Sequence, residues 1–305
     1  MKERRRTISM TNKALRANLL LLLTAAIWGF AFVAQRSAVQ YMGSFSINAV
    51  RFALGGLVLL PFLISGGPPR VEREGSGADR GKIRAGVILT GVVLFGAVSL
   101  QQIGLESTSA GTAGFITGLY VVLVPILDTL RGDRPHRLQW IGVTAAAIGL
   151  YFLSVDESMH VQPGDVMVFA GALLWAVHVQ LVGWLSRRMA PLHLALGQFA
   201  LCAALSAGAA WLFEPSPFSG LVEAAVPILY AGVLSVGVAY SLQVLAQKDA
   251  DPTPAAVIMS LEAVFAAVGG RFLLGEFLSP RGTAGAALML AAMILAQWPE
   301  PRRSP

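Results

Sequence analysis

The sequence predicts an all-α membrane protein: ten transmembrane helices arranged as two inverted five-helix repeats. Three observations lead there. The 305 residues are 55% hydrophobic and only 13% charged, with a mean hydropathy of +0.65; a soluble domain carries roughly twice that charged fraction. The apolar residues fall in runs of about 20, the length a helix needs to cross a bilayer, and the alternating ten-residue strands of a membrane β-barrel are absent from the sequence. The first half of the chain also returns in the second. Trp28…Arg51-Phe52-Ala53-Leu54 is echoed by Trp175…Gln198-Phe199-Ala200-Leu201, a shift of 147 in both. Ser99-Leu100-Gln101 is echoed by Ser241-Leu242-Gln243 and Leu119 by Leu261, a shift of 142. Gly132-Asp133 and Gly142 are echoed by Gly275-Glu276 and Gly285, a shift of 143. One unit of roughly 145 residues is used twice, which divides the chain into repeats over 1–155 and 156–305.

The spans follow in order. The first, 17–36, lies after a basic segment and is too long for a signal-peptide core; its counterpart near Trp175 is internal, so it reads as an uncleaved helix. Trp28, Phe32 and Gln35 share one of its faces. Span two, 44–64, carries Arg51 two turns from its start, and the long Gly/Pro/Arg-rich loop 65–83 follows. Span three, 84–103, ends near Gln101. Span four, 111–130, holds Tyr120 at mid-length and Gly111, Gly114 and Gly118 along it. Span five, 138–155, carries Gly142, Ala145, Ala146 and Gly149. Span six, 165–185, holds Trp175 and, one turn on, His178. Span seven, 191–213, holds Gln198 and the lone Cys202, a packing residue with no intramolecular disulfide open to it. Span eight, 223–245, ends near Gln243; span nine, 254–274, carries Glu262; span ten, 281–298, carries Gly282, Gly285 and Ala286. Small residues in spans four, five and ten predict close helix contacts, because hydrophobicity supplies no drive between helices in lipid.

Five spans per repeat is an odd number, so the two repeats enter the membrane in opposite senses. Of the 23 basic residues, 19 fall on one side: the N-terminal segment, loop 65–84, Arg131, Arg134 and Arg137, Arg187 and Arg188, Lys248, and the tail Arg302 and Arg303. Such an excess marks the cytoplasmic face. The expectation is a multi-pass protein of the bacterial inner membrane with both termini cytoplasmic. The pI near 9.9 follows from the same rule, and no nucleic-acid partner is expected, because the charge is spread over many short loops.

Ala26-Ile27-Trp28-Gly29, Arg51-Phe52, Ser260-Leu261-Glu262-Ala263-Val264 and Leu274-Gly275-Glu276 with Gly285 carry a resemblance. In order, spacing and duplication they resemble the drug/metabolite transporter superfamily, in its ten-span EamA type. The resemblance covers almost the whole chain. It implies an inverted-repeat carrier that exports small metabolites or amino acids. One departure stands out: Ala263 replaces a proline frequent in the family, which takes a kink-prone residue out of span nine. Asp133 stands in the first repeat where Glu276 stands in the second.

Ionisable groups within the bilayer are costly and are functional candidates by default. Glu262 is the candidate for proton coupling or for binding a solute amine, against a competing role as a packing hydrogen-bond donor or acceptor. His178 is the second such group, since imidazole relays protons near neutral pH, with a satisfied packing histidine as its alternative. Arg51 reads as structural, snorkelling or salt-bridged. Trp28 and Trp175, at equivalent places in the repeats, read as cavity lining beside Gln35, and Tyr120 is the repeat partner of Glu262. The expected solute or coupling site is therefore Trp28, Gln35, Tyr120, Trp175, His178 and Glu262. Gln101 and Gln243 read as marks of opposite gates, and Asp128 and Glu106 as interfacial.

Other classes lack residues. A retinal protein needs a mid-membrane lysine, yet Lys2, Lys13, Lys82 and Lys248 all lie in or beside loops. A bis-histidine haem needs two deep histidines, and His136, His160 and His193 lie in loops or at span ends. There is no Walker lysine, no His-Glu-x-x-His and no Cys/His cluster, so no cofactor, no catalytic metal and no enzyme activity are expected. The partners expected are a small-molecule solute, the lipid bilayer and a proton as candidate coupling ion, in a monomer or homodimer. The reading is a secondary transporter, most simply an exporter working by alternating access. The alternative is a flippase for a lipid-linked or amphipathic molecule, which a lateral opening between helices would favour.

Overall fold

The computed structural model describes residues 2–65, 77–108, 110–133, 135–154, 162–269, 272–273 and 280–296. Arg70, Arg73, Arg134, His160, Arg271, the Leu274-Gly275-Glu276 motif, Arg302 and Arg303 lie outside the described residues.

The elements among the described residues are all helical: α1 (Lys2–Ala38), α2 (Ser44–Ser65), α3 (Gly77–Gly104), α4 (Ala110–Gly118), α5 (Tyr120–Leu130), α6 (Arg137–Ser154), α7 (Pro163–Ser186), α8 (Pro191–Phe213), α9 (Ala225–Leu229), a π-helical stretch (Tyr230–Tyr240), α10 (Ser241–Ala246), α11 (Pro252–Met259), α12 (Glu262–Gly269) and α13 (Pro280–Ala296). Among the described residues, eight stretches are long and apolar enough to cross a membrane: 13–38, 44–64, 81–104, 110–130, 163–186, 191–213, 225–246 and 252–269. With α6 and the shorter α13 they account for the ten expected spans. Helix α1 starts well before position 17, because nothing between its basic N-terminal turns and its apolar part breaks it. Pro163 and Pro191 open α7 and α8, where the missing N–H costs nothing.

Three spans are not uniform α-helix. Span four divides at Leu119 into α4 and α5, span nine divides at Ser260–Leu261 into α11 and α12, and span eight holds the π-helical stretch. At the two breaks the backbone tightens into i→i−3 bonds: Leu119 N–H to Ile116 O at 3.2 Å, and Leu261 N–H to Ile258 O at 3.1 Å. Tyr120 and Glu262, the repeat-related pair, each open the second half of their span. The break in span nine occurs without a proline at 263, so ring sterics do not cause it.

The packing carries the two-fold relation. Span one (α1) lies on span nine (α12), and span six (α7) lies on span four (α4 and α5), which is the same pairing with the repeats exchanged. Span three packs on spans six and seven as span eight packs on spans one and two. Span two meets span seven, and span five meets span ten, so each of these pairs maps onto itself. The helices of one repeat are therefore held largely by the other, and the structure is an all-α bundle of two inverted repeats.

Small residues set the closest approaches, as expected for spans five and ten. A Cβ on Gly149 would sit 2.7 Å from the Gly285 carbonyl oxygen, and one on Gly142 would sit 3.0 Å from the Ala292 oxygen. Gly111 differs from the expectation, since nothing lies within 4 Å of the position a Cβ would take. The contrast yields a test. Gly149→Val should destabilise the protein by about 1–3 kcal/mol through overpacking, seen as a lower melting temperature in detergent, whereas Gly111→Ala should leave it unchanged.

Candidate functional site

A cavity of about 30 Å³ lies at the centre of the bundle, lined by buried side chains from both repeats. The two broken spans contribute Thr117, Tyr120, Met259 and Glu262; spans one and six contribute Trp28, Phe32, Gln35, Trp175 and Val179. Arg51, Gln101, Ser235, Tyr240 and Gln243 complete it. Close approach of span one to span nine makes this possible: a Cβ on Gly29 would meet Phe265 Cβ at 2.5 Å and the Glu262 carbonyl oxygen at 2.6 Å. Only glycine at 29 lets α1 lie against the helix that carries the carboxyl.

One wall is aromatic. The Trp28 ring lies 4.7 Å edge-on from Tyr240 and 6.2 Å from Trp175, and Trp175 stacks on Tyr240 at 5.9 Å. Buried indoles need an acceptor for their N–H. Trp28 Nε1 donates to the Ser235 carbonyl at 3.2 Å, and Trp175 Nε1 donates to Gln101 Oε1 at 2.9 Å. The Ser235 carbonyl belongs to the π-helical stretch, where Ala239 O likewise accepts from Thr24 Oγ1 at 3.2 Å. The wider turns thus present main-chain acceptors to span one.

The cavity is polar at two places. At one, Arg51 donates through Nη1 to Gln35 Oε1 at 2.8 Å and through Nε to Asn48 Oδ1 at 2.9 Å, with its guanidinium 5.1 Å from the Phe52 ring centre. Arg51 is 2% exposed and, against the sequence expectation, neither snorkels nor forms an ion pair among the described residues. It is held by two amides, which leaves its charge without an anion there. At the other, Glu262 faces Tyr120 across the helix breaks. Three buried oxygens that line the cavity have no hydrogen-bond partner among the described residues: Thr117 Oγ1, Gln243 Oε1 and Glu262 Oε1. Unmade hydrogen bonds on buried polar atoms are costly, and these three fall on one small cavity.

The structure brings Trp28, Gln35, Tyr120, Trp175 and Glu262 together, and leaves His178 out. His178 lies behind Trp175, edge-on at 5.4 Å, and one ring nitrogen, Nε2, meets Gln198 Oε1 at 2.8 Å. Gln101 and Gln243, expected at opposite ends, both line the central cavity. Sequence reasoning also passed over Thr117, Ser235 and Tyr240. Thr117 could have been found one turn before Tyr120 on the same face; Ser235 acts through its backbone, and no side-chain pattern marks it.

A second, larger cavity of about 420 Å³ opens at the end of the bundle that carries Arg131, Arg187 and Arg188, and it is also lined by Asp133, Trp184 and Asp251. At its floor lies Asp128. Asp128 lies near the end of its span, as expected, but is 5% exposed and takes bonds from Gln180 Nε2 at 2.7 Å and Thr253 Oγ1 at 2.6 Å. At the other end, Glu106 accepts from Ser44 Oγ at 2.6 Å. Glu214, from the end of α8, caps the N-terminus of α2 by accepting from Phe45 N–H at 2.7 Å, Ser46 N–H at 3.1 Å and the Ser46 hydroxyl.

Comparison with known proteins adds the lineage. The profile of the EamA-like transporter family matches residues 15–155 and again 162–298. The chain is 34% identical over 284 residues to an uncharacterised transporter of Archaeoglobus fulgidus, covering 93% of this chain and 86% of that one. It is 27% identical over 272 residues to the threonine/homoserine exporter RhtA of Escherichia coli K12, covering 86% and 84%. A protein known by crystal structure has the same fold, with a TM-score of 0.75 at 21% identity over 92% of this chain and 96% of that one.

The indole–amide contact gives a test of the site's geometry. Trp175→Phe should cost about 1–3 kcal/mol, because Gln101 Oε1 is left buried without its donor. Adding Gln101→Leu should recover most of the loss, as a double-mutant cycle on thermal unfolding would show; additive losses would mean that the contact contributes nothing.

Proposed function

Because the chain belongs to the EamA-like transporter family, we propose that it is a secondary transporter that exports a small metabolite or amino acid across the bacterial inner membrane by alternating access, and not an enzyme. The observation that carries this reading is the central cavity. A guanidinium without an anion stands in the same small space as a carboxyl without a cation, beside an aromatic wall. A zwitterion matches that lining. Its carboxylate would face Arg51, its ammonium would donate to the unpartnered oxygens around Glu262, and its apolar part would lie on Trp28, Trp175 and Tyr240.

A cavity of about 30 Å³ holds a water molecule or two and no organic solute, so loading requires the repeats to move apart. The two repeats, 1–155 and 156–305, supply the means: inverted units can exchange conformations and so open the site to either face. The burial of every lining residue within the bundle favours the metabolite carrier over the flippase. Glu262 is the residue through which a proton would couple, since it has no countercharge among the described residues and a carboxyl in hydrocarbon is costly. The basic-residue count puts both termini in the cytoplasm, so the larger cavity beside Arg131 is the cytoplasmic vestibule.

Two experiments test this. In proteoliposomes with an imposed pH gradient, Glu262→Gln should abolish gradient-driven flux of the transported amino acid or metabolite while folded protein remains in the membrane. Flux that stays unchanged and equally pH-sensitive assigns Glu262 to packing. A reporter active only in the periplasm, fused after Pro305, should stay silent; activity would overturn the topology.

A further inference from the structure

The cytoplasmic vestibule and the central cavity do not meet, and what parts them is specific. Asp128 lies eight residues beyond Tyr120 on α5, a rise of about 12 Å along the helix. Val124 lies between them on α5 and is fully buried, and Val179 and Met259, also buried, line the central cavity on the facing helices. Below this apolar layer, Asp128 accepts from Gln180 Nε2 on α7 at 2.7 Å and from Thr253 Oγ1 on α11 at 2.6 Å. Gln180 Nε2 also donates to Val124 O at 3.2 Å, and its Oε1 accepts from Arg131 Nη1 at 2.9 Å. One carboxylate thus joins spans four, six and nine on the floor of the vestibule. These spans also carry Tyr120, Trp175 and Glu262.

We infer that Asp128 is the hub of the cytoplasmic gate: its carboxylate latches spans four, six and nine together, and release of those bonds opens the path from the vestibule to the central cavity. The inference rests on the transporter reading for its purpose, and on the topology for the word cytoplasmic. The chemistry suits a latch and not a permanent joint. Water in the vestibule can replace Gln180 and Thr253 on the carboxylate, and a hydrogen bond exchanged for water changes the free energy little. Solute binding can therefore shift the balance between closed and open forms. Among the described residues the device is not repeated at the other end. The sequence counterpart of Asp128 is Gly270, and the carboxylates described there accept from other partners: Glu106 and Glu214 from α2, and Asp165 from Thr108.

Asp128→Asn is no test of the latch, because its Oδ1 can still accept from Gln180 while its Nδ2 donates to the Thr253 hydroxyl. The test needs no transported solute. Val179, on the central cavity, is replaced by cysteine in a Cys202→Ala background, and a membrane-impermeant cationic methanethiosulfonate is applied to the cytoplasmic face of oriented vesicles. Asp128→Ala should raise the labelling rate about tenfold, within the range of ordinary conformational couplings. Thr253→Val, which keeps the shape and removes one bond, should raise it about threefold by the same coupling scale. Asp133→Ala removes a charge of the same sign from the exposed vestibule wall and should leave the rate unchanged. If Asp128→Ala is not recovered from membranes, Thr253→Val and Gln180→Leu carry the comparison. Equal rates in the latch variants and the parent would overturn the proposal, and so would an equal rise in Asp133→Ala. A rise seen only from the opposite face would leave the latch standing and refute the topology instead.

Discussion

Inside a bilayer no water competes for backbone amides and carbonyls, so an interruption of a spanning helix is tolerated only where the protein itself surrounds it. That constraint governs where spans four, eight and nine depart from the α-helix. All three departures face the central cavity, where side chains of both repeats close over them. The breaks at Leu119 and at Ser260–Leu261 put Tyr120 and Glu262 at the starts of half-helices, facing one another in one small space. The wider turns of Tyr230–Tyr240 offer the carbonyls of Ser235 and Ala239 to Trp28 and Thr24 of span one. Irregular backbone and polar side chains are therefore concentrated in one place because neither could be accommodated against lipid.

Packing keeps that place narrow. The repeats interlock, each span of one lying mainly on spans of the other, and small residues set the separations. Gly29 admits Glu262 and Phe265 to the face of α1, while Gly142 and Gly149 bring spans five and ten together. Among the described residues, spans five and ten contribute nothing to the lining of the cavity. They pair along their length beside it.

The pseudo-symmetry ends at the polar groups. Arg51 binds Gln35 of span one, and its counterpart Gln198 meets His178 of span six, so each second span is tied to the first span of its own repeat, once with a charge and once without. Asp128 stitches one end of the bundle, and Glu106 and Glu214 stitch the other. A backbone plan used twice thus carries two different sets of chemistry, as a carrier that must distinguish its two faces requires.

The sequence by itself determined the ten spans, the duplication, the inversion and the central pair of repeat-related positions. These rest on hydropathy and offset, which act locally and leave a direct trace in residue order. It also singled out Trp28, Gln35, Tyr120, Trp175 and Glu262, which meet around one cavity, because polar and aromatic residues at mid-span are rare enough to stand out. Only the tertiary structure decided the rest. Whether Arg51 snorkels or is enclosed depends on Asn48 and on Gln35, sixteen residues away, and whether His178 reaches the cavity depends on Trp175 in front of it. The break in span nine forms with alanine at 263, and Asp128 is buried by Gln180 and Thr253 from two other spans. Each outcome turns on a neighbour brought from a distant part of the chain, which helical periodicity cannot encode.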